Sequence, residues 1–153
     1  MLLAIDSGNT NTVFAVFDTD GSLKGQWRAA AKTAKTADEL AVWLRQLMAL
    51  EHIDRNDIDQ VIIATVVPGN LFDLRTLSEK YFHCKALVVG DADVSLGIEV
   101  RVDRPDEAGA DRLVNAVSAH ATYGGPLMVL DFGTATTFDL VAADGAYEGG
   151  VIA

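Results

Sequence analysis

Residues 2–18 read LLAIDSGNTNTVFAVFD. An apolar run stops at Asp6, breaks into Ser7-Gly8-Asn9-Thr10-Asn11-Thr12, and turns apolar again at Val13. Both flanks have strand length, so the stretch reads as a β-hairpin between two buried strands. A tight hairpin needs only two turn residues, usually including a glycine. The acid and the run of amide and hydroxyl side chains exceed what chain reversal requires.

The same pattern returns at residues 127–144, LMVLDFGTATTFDLVAAD. Asp6 matches Asp131, Gly8 matches Gly133, Asn9 matches Thr134, and Thr12 matches Thr137. Each copy is an apolar strand, then Asp-x-Gly-polar-x-x-Thr, then a second apolar strand. Glycine lets a turn bring its backbone N–H groups close to a ligand and can take positive φ. Consecutive N–H groups in such a turn form an anion-binding nest. Asn and Thr side chains can add bonds to phosphate oxygens, and an acid at the strand end suits a Mg²⁺ ion beside them. Aspartate is also a common turn former and threonine suits strands anyway, so the weight rests on the pair. No G-x-x-x-x-G-K-[ST] and no post-strand G-x-G-x-x-G occurs, and the DFG at 131–133 lacks the other protein-kinase motifs.

Around these loops the chain predicts an α/β fold. Leu2–Ile5, Val13–Phe17 and Ser22–Ala30 read as three antiparallel strands. Ala37–Leu50 carries Leu40, Trp43, Leu44, Leu47 and Met48 at helical spacing. Strands are expected at Ile58–Val67 and Ala86–Val89, with a helix from Leu71 to Tyr81 between them, and a short strand at Ile98–Val102. One helix is expected from Pro105 to Tyr123, with a core stripe at 110, 113, 114, 117 and 121, followed by strands at Leu127–Leu130 and Thr136–Val141. Hairpins first, then alternating strands and helices, imply a mixed sheet flanked by helices. The chain stops in the apolar run Val151-Ile152-Ala153, which is read as a strand leading onward in a longer protein.

The 153 residues are half apolar with a formal net charge of −10 and one cysteine, Cys84. Disorder is excluded by the apolar content, and a disulfide framework by the lone cysteine. The acidic balance argues against nucleic acid and anionic membranes as partners. The start lacks a basic leader, and the longest apolar runs are too short to span a bilayer, so a soluble, cytoplasmic location is expected.

Paired Asp-x-Gly hairpins resemble the two phosphate loops of the actin, hexokinase and Hsp70 superfamily. DSGNTNT near the start, GADR at 109–112 and DFGTATTFD at 131–139 together resemble the type III pantothenate kinase family along essentially the whole chain. The resemblance implies a ribonuclease H-like, actin-like ATPase domain with a mixed five-stranded sheet, three antiparallel strands first. It implies a first lobe over 1–123 and the start of a second lobe over 124–153, the rest of which family chains supply. The implied activity is ATP-dependent phosphorylation of pantothenate, the first step towards coenzyme A, by a homodimer.

Under that resemblance, Asp6, Ser7, Gly8, Asn9, Thr10, Asn11, Thr12 and Val13 bind ATP phosphates together with Gly133 and Thr134, and Asp6 holds Mg²⁺. Asp131 helps bind a monovalent cation, K⁺ or NH₄⁺. Gly109, Ala110, Asp111 and Arg112 line the pantothenate pocket, with Asp111 the base for the acceptor hydroxyl. A carboxylate within hydrogen-bond reach can take that proton as the hydroxyl attacks phosphorus. Arg112 offers forked donors to substrate oxygens. Helical spacing puts Asp111, Asn115 and Ser118 on one face. One departure stands out: family members commonly carry a tyrosine where this chain has Val102.

Other residues read as structural. Asp106 and Glu107 suit a helix start, and Trp43 and Trp27 suit core and sheet. His52, His83 and His120 show no metal-ligand spacing. Lys24, Lys32 and Lys35 form a mild basic patch. Two other readings stay open: another acid or sugar kinase or phosphohydrolase of the superfamily, and a catalytically silent nucleotide-binding regulator. A piece of 153 residues alone is expected to be inactive.

Overall fold

In the computed structural model, residues 1–31 and 35–153 are described, so Lys32 of the basic patch lies outside the described residues. The chain packs as two units, Met1–Val88 and Val89–Ala153. The helix ending at Tyr123 packs within the second unit.

The first unit contains β1 (Leu2–Ser7), β2 (Asn11–Phe17), β3 (Leu23–Ala30), α1 (Ala37–Leu50), β4 (Gln60–Thr65), α2 (Pro68–Phe82) and β5 (Leu87–Val88). These five strands form one sheet in the order β3-β2-β1-β4-β5. β1 pairs antiparallel with β2 and parallel with β4, and β4 pairs parallel with β5. The mixed sheet with three antiparallel strands first is therefore as expected. Alternation in β1 and β2 turns Leu3, Ile5, Ser7, Thr12, Phe14 and Val16 inward. Leu40, Leu44 and Met48 of α1 and Leu74 and Leu77 of α2 complete that core.

Local chemistry sets the helix starts. Thr36 caps α1 with a reciprocal box: its hydroxyl accepts from Glu39 N–H at 3.3 Å while the Glu39 carboxylate accepts from Thr36 N–H at 2.9 Å. Trp43 packs against the core, edge-on to Phe14 at 5.4 Å, and Trp27 is partly buried on the sheet. α2 starts at Pro68, three residues before the expected Leu71. Proline is tolerated in a first helical turn, so Pro68-Gly69 opens the helix instead of merely closing the strand.

The second unit contains α3 (Ala110–Tyr123), β6 (Leu127–Phe132), β7 (Thr136–Val141) and β8 (Tyr147–Ile152). β6, β7 and β8 form an antiparallel meander. Leu113 and Ala116 of α3 pack with Val141 and Tyr147, joined by Leu127, Val129 and the segment 96–102. On the opposite face Met128, Leu130, Phe132, Leu140 and Val151 are exposed.

Two expectations fail here. Ile98–Val102 is not a strand: Val100 forms an isolated bridge to Tyr147, held by Tyr147 N–H to Glu99 O at 2.9 Å and Arg101 N–H to Tyr147 O at 2.8 Å. The helix from Pro105 is also broken. A 3₁₀ turn spans Pro105–Glu107, Ala108 and Gly109 are extended, and α3 begins at Ala110. The core face of α3 is rotated accordingly: Ala116, outside the expected stripe, is fully buried, and Ala121 is exposed.

Candidate active site

In the first loop Asp6 pairs with Val13 and Ser7 with Thr12, and Gly8 N–H donates to Asn11 O at 3.0 Å. Alternation sends Asp6 out and Ser7 and Thr12 in. The Ser7 and Thr12 hydroxyls lie 3.2 Å apart in the core. Asn9 and Thr10 at the tip are exposed.

Behind this tip sits a support that the sequence reading missed. Asn70 Nδ2 donates to Ser7 Oγ at 3.2 Å, and Thr65 Oγ1 donates to Ser7 O at 3.2 Å. Asn70 belongs to the first turn of α2, directly after Pro68-Gly69, and that turn at the end of a parallel strand was the available signal. A small cleft borders Thr12, Lys35, Asn70 and Asp73.

The second loop is one residue tighter. Asp131 pairs with Thr137 and Phe132 with Thr136, and Gly133 N–H donates to Ala135 O at 3.1 Å. Thr12 thus sits opposite Ser7, whereas its sequence counterpart Thr137 sits opposite Asp131. A shift of one residue moves a side chain to the other face of a strand. The repeat therefore holds for the first strand and the acid, and slips by one on the return strand.

Neither loop glycine has a positive φ, contrary to one reason given for it in the sequence. A Cβ on Gly8 would stand 3.4 Å from Asn11 O, and one on Gly133 would stand 3.7 Å from Ala135 O, both ordinary contacts. The hairpins themselves could hold alanine at both positions.

GADR forms the entry of α3. Gly109 is the cap residue, and its carbonyl accepts from Leu113 N–H at 3.1 Å. The Asp111 carboxylate folds back over this turn and accepts from Arg112 N–H at 2.8 Å. A Cβ on Gly109 would lie 2.7 Å from Asp111 Oδ1, so glycine is what leaves the carboxylate its place. One turn on, Asn115 Nδ2 donates to Asp131 Oδ2 at 3.2 Å, joining α3 to the second loop. Ser118, expected on the same face, is exposed.

Arg112 turns towards β7. Its Nε donates to Asp139 Oδ1 at 2.7 Å, and its Nη2 lies 2.6 Å from the same oxygen without a hydrogen aligned on it. Tyr147 OH donates to that oxygen at 2.7 Å. Burial disfavours charge on Arg112, but the Asp139 carboxylate outweighs it and raises the guanidinium pKa. Burial, reinforced by the bond to Asp139, pushes the Tyr147 phenol up to about 12. Val102 packs into the apolar cluster under this group.

Among the described residues, no three His, Cys, Asp or Glu side chains gather as a metal site. No helix among them is long and apolar enough to cross a membrane. Cys84 is unpaired, with a thiol pKa raised chiefly by burial.

Known proteins resemble this chain in fold and in sequence. Solved structures share the fold at low identity. Component A of (R)-2-hydroxyglutaryl-CoA dehydratase from Acidaminococcus fermentans matches 99% of this chain and 46% of its own, with 12% identity and a TM-score of 0.58. The activator of 2-hydroxyisocaproyl-CoA dehydratase from Clostridium difficile, solved with bound ADPNP, matches 99% and 45%, with 10% identity and a TM-score of 0.57. The fold is that of the actin-like ATPases. Among curated proteins, the type III pantothenate kinase of Rhodospirillum rubrum is 63% identical over 153 residues, all of this chain and 59% of that protein. That of Caulobacter vibrioides is 56% identical over the same residues, 58% of its length. The chain thus spans about three-fifths of the length of the curated relatives it matches. With a family model matching residues 2–153 as well, the chain belongs to the type III pantothenate kinase family.

Proposed function

We propose that the protein carrying this chain transfers the γ-phosphoryl group of ATP to the primary hydroxyl of pantothenate, in the cytoplasm and as a homodimer. The observation that carries this reading is the full-chain identity with relatives described as type III pantothenate kinase, with the GADR turn intact.

The geometry supports separate roles for the two loops. Neither hairpin needs its glycine, so Gly8 and Gly133 serve the space outside the turn, where a phosphate can approach the backbone. Gly8, Asn9, Thr10 and Asn11 contact phosphates in the first loop, with Val13 carrying the return strand behind Asp6. Ser7 and Thr12 hold the tip from within through their buried hydroxyls. Thr134, exposed in the second loop, contacts ATP there.

Asp6 fits Mg²⁺ as its one protein carboxylate, since that ion keeps several waters and takes its other ligands from phosphates. Asp131 suits a monovalent cation, K⁺ or NH₄⁺, with its carboxylate oriented by the Asn115 bond to Oδ2. The cations supply charge neutralisation for the transferring group.

The chain's own residues do the rest by position. Asp111, held at the α3 entry, accepts the proton of the acceptor hydroxyl as that oxygen attacks phosphorus. Gly109 and Ala110 keep this turn narrow beside the acceptor. Arg112 binds an acceptor oxygen through Nη1, since its Nε and Nη2 face Asp139.

The test is an ADP-release assay on the full-length protein and on Asp111→Asn. A loss of roughly 10²-fold or more in kcat is expected, the range for removal of a general base. Near-normal turnover would remove Asp111 from that role.

A further inference from the structure

We propose that Asp139 and Tyr147 are positioning residues for Arg112, forming a buried clamp that fixes the guanidinium by its Nε and Nη2 edge and presents Nη1 to the acceptor. The proposal rests on the function inferred above.

Asp139 is fully buried, and its Oδ1 takes Arg112 Nε at 2.7 Å and Tyr147 OH at 2.7 Å. A guanidinium has two edges for paired donation, Nε with Nη2 and Nη1 with Nη2. Here the first edge faces Asp139 and Nη2 is buried, which leaves Nη1 as the donor turned away from the carboxylate. The sequence reading gave Arg112's fork to the substrate; half of that fork is already engaged inside the protein.

Stability alone does not account for the cluster. A buried ion pair is weak evidence for stability, because desolvation of both charges offsets their attraction. Asp139 Oδ2 is buried and has no hydrogen-bond partner among the described residues, which adds a cost that an apolar cluster would avoid. The arrangement does suit orientation. Arg112 also lies with its guanidinium carbon 5.9 Å from the Tyr147 ring centre, so its plane is limited from a second side. Its side chain keeps 16% exposure.

The backbone is adapted to the same end. Asp139 pairs with Gly150 across β7 and β8. A Cβ on Gly150 would collide with Phe138 O and Arg112 Nη2 and would stand 2.7 Å from Asp139 Oδ1. Gly150 is therefore the gap through which Arg112 reaches its carboxylate. Tyr147 is in turn fixed by its backbone bonds to Glu99 and Arg101.

The experiment compares wild type, Tyr147→Phe, Asp139→Asn and Arg112→Lys in the full-length protein, with KM for pantothenate and for ATP measured separately. Loss of a hydrogen bond to a charged group predicts a pantothenate KM raised roughly tenfold in Tyr147→Phe and more in Asp139→Asn, with ATP KM within about twofold. Asp139→Asn combined with Arg112→Lys should be no worse than the poorer single variant, since both break one unit. A merely structural role would instead lower melting temperature and active fraction while leaving both KM values alone. Should Asp139→Asn fail to fold, Tyr147→Phe, which keeps the ring packing, decides. Unchanged pantothenate KM in folded Tyr147→Phe overturns the proposal. A ligand-free readout separates the two claims: the Arg112 Nε–H should exchange slowly in wild type and quickly in Tyr147→Phe, as seen by NMR. Wild type inert towards pantothenate but with that slow Nε–H would sink the assigned reaction and leave the clamp standing; fast exchange in wild type overturns the clamp.

Discussion

Asn115 Nδ2 donates to Asp131 Oδ2 at 3.2 Å, so the helix that carries GADR is tied to the acid of the second loop. With the Arg112–Asp139 contact it ties α3 to the β6–β7 hairpin. Asn115→Ala should loosen the β6–β7 tip. A hydrogen bond worth about 1 kcal/mol predicts amide exchange roughly fivefold faster at 133–136, with α3 unaffected. Hydrogen-exchange mass spectrometry of the full-length protein reads this directly, and unchanged exchange at the tip would show that the bond is idle.

Thr36 holds α1 by a capping box on an exposed turn. Thr36→Ala removes the hydroxyl that accepts from Glu39 N–H and donates to the Glu39 carboxylate, and leaves the backbone half of the box in place. The expected loss is about 1 kcal/mol, read from urea unfolding as a lower midpoint at unchanged slope.

Leu44 is fully buried in the core of the first unit. Leu44→Ala should cost about 2–5 kcal/mol, because the sheet and two helices around it relax only in part. A loss under about 1 kcal/mol would mean that this site collapses freely.

The Tyr147 phenol, pushed up to about 12, makes a pH prediction. The ordinary tyrosine value is about 10, so its neutral form is favoured in the folded state. That contribution is fully present below pH about 10 and is lost as pH rises through 12. Tyr147→Phe should flatten this alkaline decline in stability, as followed by thermal melts at stepped pH.

Much of the architecture was legible because it is written in local patterns. Apolar runs of strand length on either side of the Asp6 and Asp131 loops marked both hairpins, and helical spacing marked α1. The break before α3 was harder to read. Pro105 and an acidic first turn looked like a helix start, but they open only a 3₁₀ turn, and the α-helix begins at Ala110 after the Gly109 cap. The one-residue slip between the loops depends on strand register, which identical spacing in the sequence concealed. Asp139 stood inside a motif already quoted, yet its partner Arg112 lies 27 residues away, a distance that spacing rules do not cover. Asn70 was missed for the same reason, since its partner Ser7 is 63 residues earlier.

The most direct measurement is transfer of label from γ-³²P-ATP to pantothenate by the full-length protein, set beside sugars, other hydroxy acids and water as acceptors. Labelled phosphopantothenate, formed with pantothenate alone and abolished in Asp111→Asn, is the predicted result. Label passing to water or a sugar while pantothenate stays unlabelled would contradict the account.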